Sequence, residues 1–356
     1  MGNKCTCFKV DNTDDQQINS DRTDYVSYDK GDFSGNRYSV DVVISIQNVL
    51  RGFKDRRVLK NFVKVSSSST PYSVPNRENL QEIMGSVPDY SNPTTLASEK
   101  KIGPFVYPLE LDDSVAKVLK NAVKLENNAI YIGEWNYKNE RHGKGQQTWN
   151  DGSKYEGYWK NDKANGRGRL IHGDGDIYEG EWVDDKAHGF GVYLHTDGAR
   201  YEGGWVNDKQ HGMGKEEWPD GSNYEGEYFN GQKHGKGRFV WSDGSTYEGE
   251  FNSNDIHGTG KYSWIDGRVY IGSWQMNTMH GKGEFSWPDG RKYIGEYVDD
   301  KKEGFGCFEW PDGKKYVGEW LNGKQHGKGT FYTANDKIEG TWIEGKRIIP
   351  KTQAEI

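Results

Sequence analysis

A period of 23 residues governs most of this chain. A tyrosine-led pentapeptide, Y-x-G-x-W or a near variant, begins at Tyr131, Tyr155, Tyr178, Tyr201, Tyr224, Tyr247, Tyr270, Tyr293 and Tyr316. The first spacing is 24 and the other seven are 23, and a degenerate tenth copy, IEGTW, begins at Ile338. Between anchors recurs H-G-x-G, from HGKG at His142 to HGKG at His326, with NGRG at Asn165 and EGFG at Glu303 as variants. A D-G pair stands before most anchors, as in NDG at Asn150, SDG at Ser242 and PDG at Pro219, Pro288 and Pro311. A unit this short cannot bury an apolar face alone, so its copies must stack on one another.

One unit shows what is stacked. Tyr224, Gly226 and Tyr228 alternate with Glu225 and Glu227, a period-2 strand with an aromatic and a charged face. Asn230-Gly231-Gln232 makes a loop, Gly235 and Gly237 lead into RFVW, and Asp243-Gly244 turns the chain back. Each unit is therefore a β-hairpin. The glycine of the anchor leaves a slot on the aromatic face, expected to admit a ring from the next strand. Composition agrees. Hydrophobic residues are 33% of the chain and mean hydropathy is -0.99, too polar for one large globular core. Aromatics reach 13%, with 13 Trp and 22 Tyr, so rings supply most of the buried surface.

The fold class expected is mainly β: an elongated single-layer antiparallel sheet of nine to ten hairpins, preceded by a helical and partly disordered N-terminal region. The three signatures at this spacing resemble MORN repeats. The resemblance covers residues 128–346 and implies a non-enzymatic scaffold or docking surface, as in radial spoke heads of cilia and in junctophilins. Its aromatic side is expected to be an open groove that receives a peptide or helix, with Trp135, Trp159, Trp182, Trp205, Trp274 and Trp320 as contacts. Structural proteins of a ciliary or cytoskeletal complex are the expected partners, with self-association at the free edge after the tenth copy.

Residues 1–38 are rich in Asp, Asn and Ser, have no hydrophobic period and read as disordered. The chain opens Met1-Gly2-Asn3-Lys4-Cys5-Thr6-Cys7, which fits the N-myristoylation pattern at Gly2. Cys5 and Cys7 supply a second, palmitoyl signal, because one myristoyl chain alone holds a membrane only marginally. Residues 39–64 contain IQNVLRGFKDRRVL, in which Ile46, Gln47, Arg51, Gly52, Arg56 and Leu59 match every defined position of the IQ motif. The resemblance implies a helix that binds calmodulin or a related EF-hand protein. Ile46, Leu50 and Phe53 are its apolar anchors, and six Lys or Arg against one acid between Ile46 and Lys64 face an acidic lobe. The alternative is an amphipathic helix packed on the array or on anionic lipid. Residues 65–110 read as a linker and 111–127 as a helix that caps the first sheet edge, its stripe being Val115, Val118, Leu119 and Val123. Residues 347–356 form a tail.

Other classes fall away. A formal net charge of -7 disfavours nucleic acid. The histidines have no matching Cys set for zinc, and GKQHGKGT at 323–330 lacks the order of a phosphate loop. No catalytic residue, metal or cofactor is expected. The localisation expected is the cytoplasmic face of a membrane, a cilium or the cytoskeleton. Titrating a peptide of residues 39–64 with calmodulin tests the IQ reading: saturable binding with or without Ca²⁺ is expected, and none in either state removes it.

Overall fold

The computed structural model describes residues 88–108 and 115–349. The strands form one open antiparallel sheet of 21 strands, each paired with its sequence neighbours. The described residues divide into two compact units. The first takes those up to Pro219 together with Tyr228–Gly231, and the second takes Asp220–Glu227 and those from Gln232 on. The helix expected over 39–64 and the expected acylation sites lie outside the described residues. Among the described residues no helix is long and apolar enough to cross a membrane.

Two turns alternate along the chain. Each anchor strand ends in a two-residue turn with both residues at positive φ, as at Asn161 (50°) and Asp162 (68°), or Asn322 (49°) and Gly323 (82°). This is the type I′ geometry whose twist matches a hairpin, and Asn, Asp and Gly tolerate it. The exception is the first hairpin, which needs five residues, Asn136 to Glu140, and there lies the extra residue of the 24-residue spacing. The D-G turns close differently. Gly244 N–H donates to Trp241 O at 2.9 Å, and the Asp243 carboxylate accepts from Ser245 N–H at 2.7 Å.

The anchor strand Thr246–Asn252 and its partner Asp255–Ser263 show why the motif is as it is. Gly249 pairs with Gly260, but Glu250 pairs with His257, so Gly258 and Thr259 are extra residues in a bulge. Tyr247 lies back over Gly249 and Gly260, and its hydroxyl donates to Glu250 O at 3.0 Å. The ring in the glycine slot therefore belongs to the same strand, two residues earlier, and not to the next strand as expected. Gly258 takes φ 63°, and the space a side chain would need is held by the Glu250 carboxylate. That carboxylate accepts from Thr259 N–H at 3.3 Å and Thr259 Oγ1 at 2.7 Å. The acids of the charged face are thus part of the bulge.

Stacking then runs from repeat to repeat. Tyr155 meets Trp159 edge-to-face at 5.0 Å and Trp182 of the following repeat at 5.2 Å. In the second unit Tyr293 meets Tyr297 and Trp320 at 5.2 Å each. Such contacts contribute about 0.5–1.5 kcal/mol each beyond area burial. Buried indole N–H groups find backbone acceptors, Trp182 on Gly168 O at 3.1 Å and Trp320 on Gly306 O at 3.2 Å, whereas that of Trp135 has none.

The start of the array corrects the sequence reading twice. The expected capping helix over 111–127 is, at Val118–Lys124, a strand, β1, paired with Ile130–Trp135, β2. The edge of β2 offers backbone hydrogen bonds that a helix cannot use, and valines favour the pleat. Leu119, central to the helical stripe, is 67% exposed. The expected linker contains a helix, α1, Pro93–Ile102. Its Asn92 cap accepts Thr94 N–H at 2.9 Å, and Asn92 Nδ2 donates to Asp151 O and Gly173 O at 2.9 Å. Lys154 to Glu99 (2.7 Å), Arg169 to Gly103 O (3.0 Å) and Tyr107 against Tyr158 fasten this segment to the charged face of the first repeats. At the other end the degenerate copy forms Lys337–Ile343 with Trp342 buried, and a short strand Lys346–Ile348 follows.

Two substitutions separate the roles in the anchor. Tyr247→Phe removes one hydrogen bond and is expected to cost about 1 kcal/mol. Gly249→Ala places a methyl 2.5 Å from Gly260 Cα and 2.6 Å from Thr259 O, both backbone, and is expected to cost about 3 kcal/mol or more. Urea unfolding followed by near-UV circular dichroism checks the order.

Candidate docking surface

The six tryptophans expected to line a groove do not. Trp135, Trp159, Trp182, Trp205, Trp274 and Trp320 are at most 4% exposed; Trp135 packs between Tyr131 and Lys120, and the other five are each held between tyrosines. They are the core of the array, because mid-strand rings are flanked by a repeat on each side.

A second tryptophan column lies on the same face, where the strands meet the D-G turns. It runs Trp241, Trp264, Trp287 and Trp310, again 23 apart, and all four are half-buried. Intervening rings join them into one strip. Trp241 to Tyr262 is 4.9 Å and Tyr262 to Trp264 is 4.4 Å. Trp264 to Phe285 is 5.3 Å, Phe285 to Trp287 4.3 Å, Trp287 to Phe308 5.6 Å and Phe308 to Trp310 4.5 Å. Arg268 and Arg291 sit over Trp264 and Trp287 at 5.2 and 5.3 Å, each tied to a turn Asp at 2.7 Å. The strip belongs to the second unit. Its signal was present in the sequence as W-x-D-G, read there only as the end of a strand.

In the first unit the same column reads Trp149, His172, His195 and Trp218. Buried Asp176 accepts from Tyr193 Oη at 2.8 Å and Thr196 N–H at 2.9 Å, and lies 3.3 Å from His195 Nε2. Burial pushes His172 below the ordinary imidazole value against the pull of Asp174 and Asp176. This end is a polar knot where the other is an aromatic strip.

The motif histidines face the next turn. Asn161 N–H approaches His142 Nδ1 at 3.4 Å, and where Glu303 replaces His its carboxylate accepts from Asn322 N–H at 2.9 Å. Nδ1 of His188, His211 and His326 is buried without a hydrogen bond. Among the described residues no group of three or more His, Cys, Asp and Glu is placed to hold a metal ion. Cys307 is half-buried, its thiol pushed up by burial.

The turns also lock each repeat to the one before it. Asp208 accepts Ala187 N–H at 2.8 Å and Asp300 accepts Met279 N–H at 2.7 Å, while Asn277 does the same for Ile256 at 2.7 Å. Burial pushes Asp208 and Asp300 up to about 6 from 3.8, against the hydrogen bonds from Ala187 and Met279 that lower them. A carboxyl raised on folding binds its proton more tightly in the native state. Its favourable contribution is therefore full below 3.8 and lost as pH rises through about 6. Asp300→Asn, which keeps the acceptor and removes the charge, is expected to stabilise the protein at pH 7.5 by up to about 1 kcal/mol after solvent screening. Thermal unfolding across pH checks this, the gain vanishing near pH 4.

Comparison with known proteins follows this geometry. A family model described as MORN repeat matches residues 131–154, 155–177, 178–200, 201–223, 224–246, 247–267, 270–290, 293–315 and 316–337. No curated protein matches the chain. Among solved structures, the TCP10 domain of Danio rerio CPAP is 10% identical, with a TM-score of 0.32, covering 56% of this chain and 94% of that one. The TCP domain of Drosophila melanogaster SAS-4, solved with a proline-rich motif of Ana2, is 13% identical, with a TM-score of 0.28, covering 55% and 99%. These scores are too low to transfer fold or function.

Proposed function

We propose a function from one premise: the chain belongs to the MORN-repeat family. It is a non-enzymatic scaffold that docks protein partners in a ciliary or other cytoskeletal assembly. The observation that carries this reading is the aromatic strip of the second unit. The polar groups of the anchors are engaged with the array's own backbone, whereas Trp241, Trp264, Trp287 and Trp310 keep part of each ring in solvent. Partly exposed aromatic anchors in a row are the kind of surface on which binding energy concentrates.

The segment before the array supports location and regulation. Gly2, Cys5 and Cys7 would carry acyl chains that hold the cytoplasmic face of a membrane. The segment with Ile46, Gln47, Leu50, Arg51, Gly52, Phe53, Arg56 and Leu59 would bind calmodulin or a related EF-hand protein as an amphipathic helix. A second reading, favoured by the acylation signal, is a tether that links a membrane to a partner of the array.

Crosslinking mass spectrometry on native cell extracts, combined with detergent extraction, tests both. Retention with the cytoskeleton and crosslinks from the turns at 242–245, 265–268 and 288–291 to another protein are expected of the scaffold. Complete release by detergent, reversed to a soluble form in Gly2→Ala, favours the tether. An absence of crosslinks from the second unit to any protein, including a second copy at the Lys346–Ile348 edge, overturns docking by the array.

A further inference from the structure

We infer that the fourth repeat binds a glutamate side chain of a partner protein, in a notch on the charged face formed by Gly204, Gly212 and Met213. The notch belongs to the first unit and to the face opposite the aromatic side, so it stands or falls separately from docking at the strip.

The other repeats define what such a notch holds. In six of them a glutamate follows the anchor glycine: Glu134, Glu181, Glu227, Glu250, Glu296 and Glu319. Each carboxylate fills the space beside a positive-φ glycine, from Gly143 to Gly327. The donor is a backbone N–H of the bulge, as Lys144 N–H bonds Glu134 at 2.7 Å and Lys236 N–H bonds Glu227 at 2.9 Å. A hydrogen bond to an ionised carboxylate is stronger than one between neutral groups. The notch is thus a carboxylate site that six repeats fill from their own chain.

The fourth repeat has the same bulge without the acid. Gly203 pairs with Gly214 and Trp205 with Gln210, so His211, Gly212 and Met213 stand against Gly204 alone. Gly212 takes φ 71°, and among the described residues nothing lies within 4 Å of the place its Cβ would take. It is exposed, whereas the six glycines beside an acid are buried or half-buried. Met213 N–H holds the motif position of Lys144 N–H and Lys236 N–H. A side chain rooted at Gly204 would run into His211 O, so the chain does not refill the notch itself. The rim is apolar: Phe190, paired directly with Gly204, is 48% exposed and Met213 63%. The acids of the two strands on this face, Glu202 and Glu217, are paired with Arg200 and, at 2.6 Å, with Lys215. The fitting occupant is therefore a glutamate set among apolar residues. The second repeat supplies a precedent. Tyr158 replaces its glutamate, and a segment from outside the array is seated there, with Tyr107 edge-to-face at 5.7 Å and Tyr158 Oη donating to Pro108 O.

The test uses the full-length chain and three fluorescein-labelled peptides, Gly-Ser-Leu-Phe-X-Phe-Leu-Ser-Gly, with X as Glu, Gln or Lys. Fluorescence anisotropy is expected to show saturable binding of the Glu peptide, with the Gln peptide weaker on the order of tenfold and the Lys peptide weaker still. Met213→Glu sets a competing carboxylate at an exposed position on the rim and is expected to weaken the Glu peptide on the order of tenfold. Hydrogen–deuterium exchange on the unsubstituted protein supplies a readout independent of how the variant folds, with protection by the Glu peptide expected at 211–214. No binding of the Glu peptide, equal binding of the Gln peptide, or protection away from 211–214 overturns the assignment. If crosslinks in cells map to the turns of the strip while the Glu peptide fails, docking at the strip stands and the notch falls.

Discussion

The phenol of each anchor tyrosine is the interaction on which the array depends. A bulge in the neighbouring strand frees a carbonyl three residues after the tyrosine, and the hydroxyl reaches it in all nine copies, from Tyr131 on Glu134 O to Tyr316 on Glu319 O. To get there the ring crosses two paired glycines, which is why both strands need glycine at that level. Burial pushes the hydroxyls of Tyr131, Tyr155, Tyr178, Tyr247, Tyr270 and Tyr316 up, the last to about 12, so they remain donors. The ring so held becomes the fixed edge against which the tryptophans of its own and the following repeat are set.

Backbone satisfaction explains the remaining motif letters. The acid after the anchor glycine fills the space at the positive-φ glycine and binds the bulge, as Glu227 does for Lys236 N–H at 2.9 Å. Where the chain has Ser273 instead, Gly281 meets its Cβ at 3.4 Å and its Oγ at 3.6 Å, ordinary contacts. The Asn and Asp of each tight turn accept an N–H of the preceding repeat. Hydrogen bonds and ring contacts thus join nearest neighbours, the arrangement in which stability is a sum over units and their joints.

The period made the hairpins, both turns and the aromatic face legible, because each rests on contacts inside one or two repeats. Depth was not legible. Trp264 and Trp274 share the same period and face, and only the flanking tyrosines, Tyr247 and Tyr270 around Trp274, decide that one is core and the other half-exposed. Nor was β1, since Val118, Leu119 and Val123 fit either a helical stripe or a pleat until the edge of β2 is present to pair with. Helix α1 had its markers, Asn92-Pro93 at one end and Gly103 at the other, but it buries only Thr95 and so leaves no periodic trace. Its role comes from polar contacts to repeats far along the chain.

The lock between repeats makes 23 residues a unit of exchange. In the second unit, the joint from Ile256 to Asn277 is chemically the same as that from Met279 to Asp300: a backbone N–H meets a turn oxygen at 2.7 Å. Removing or duplicating one such block would return every remaining end to a partner of the kind it had before. The chain is therefore graduated. Its length changes in whole steps, each carrying one more ring of the strip. The first hairpin, with its five-residue turn, is the mark from which the scale is read.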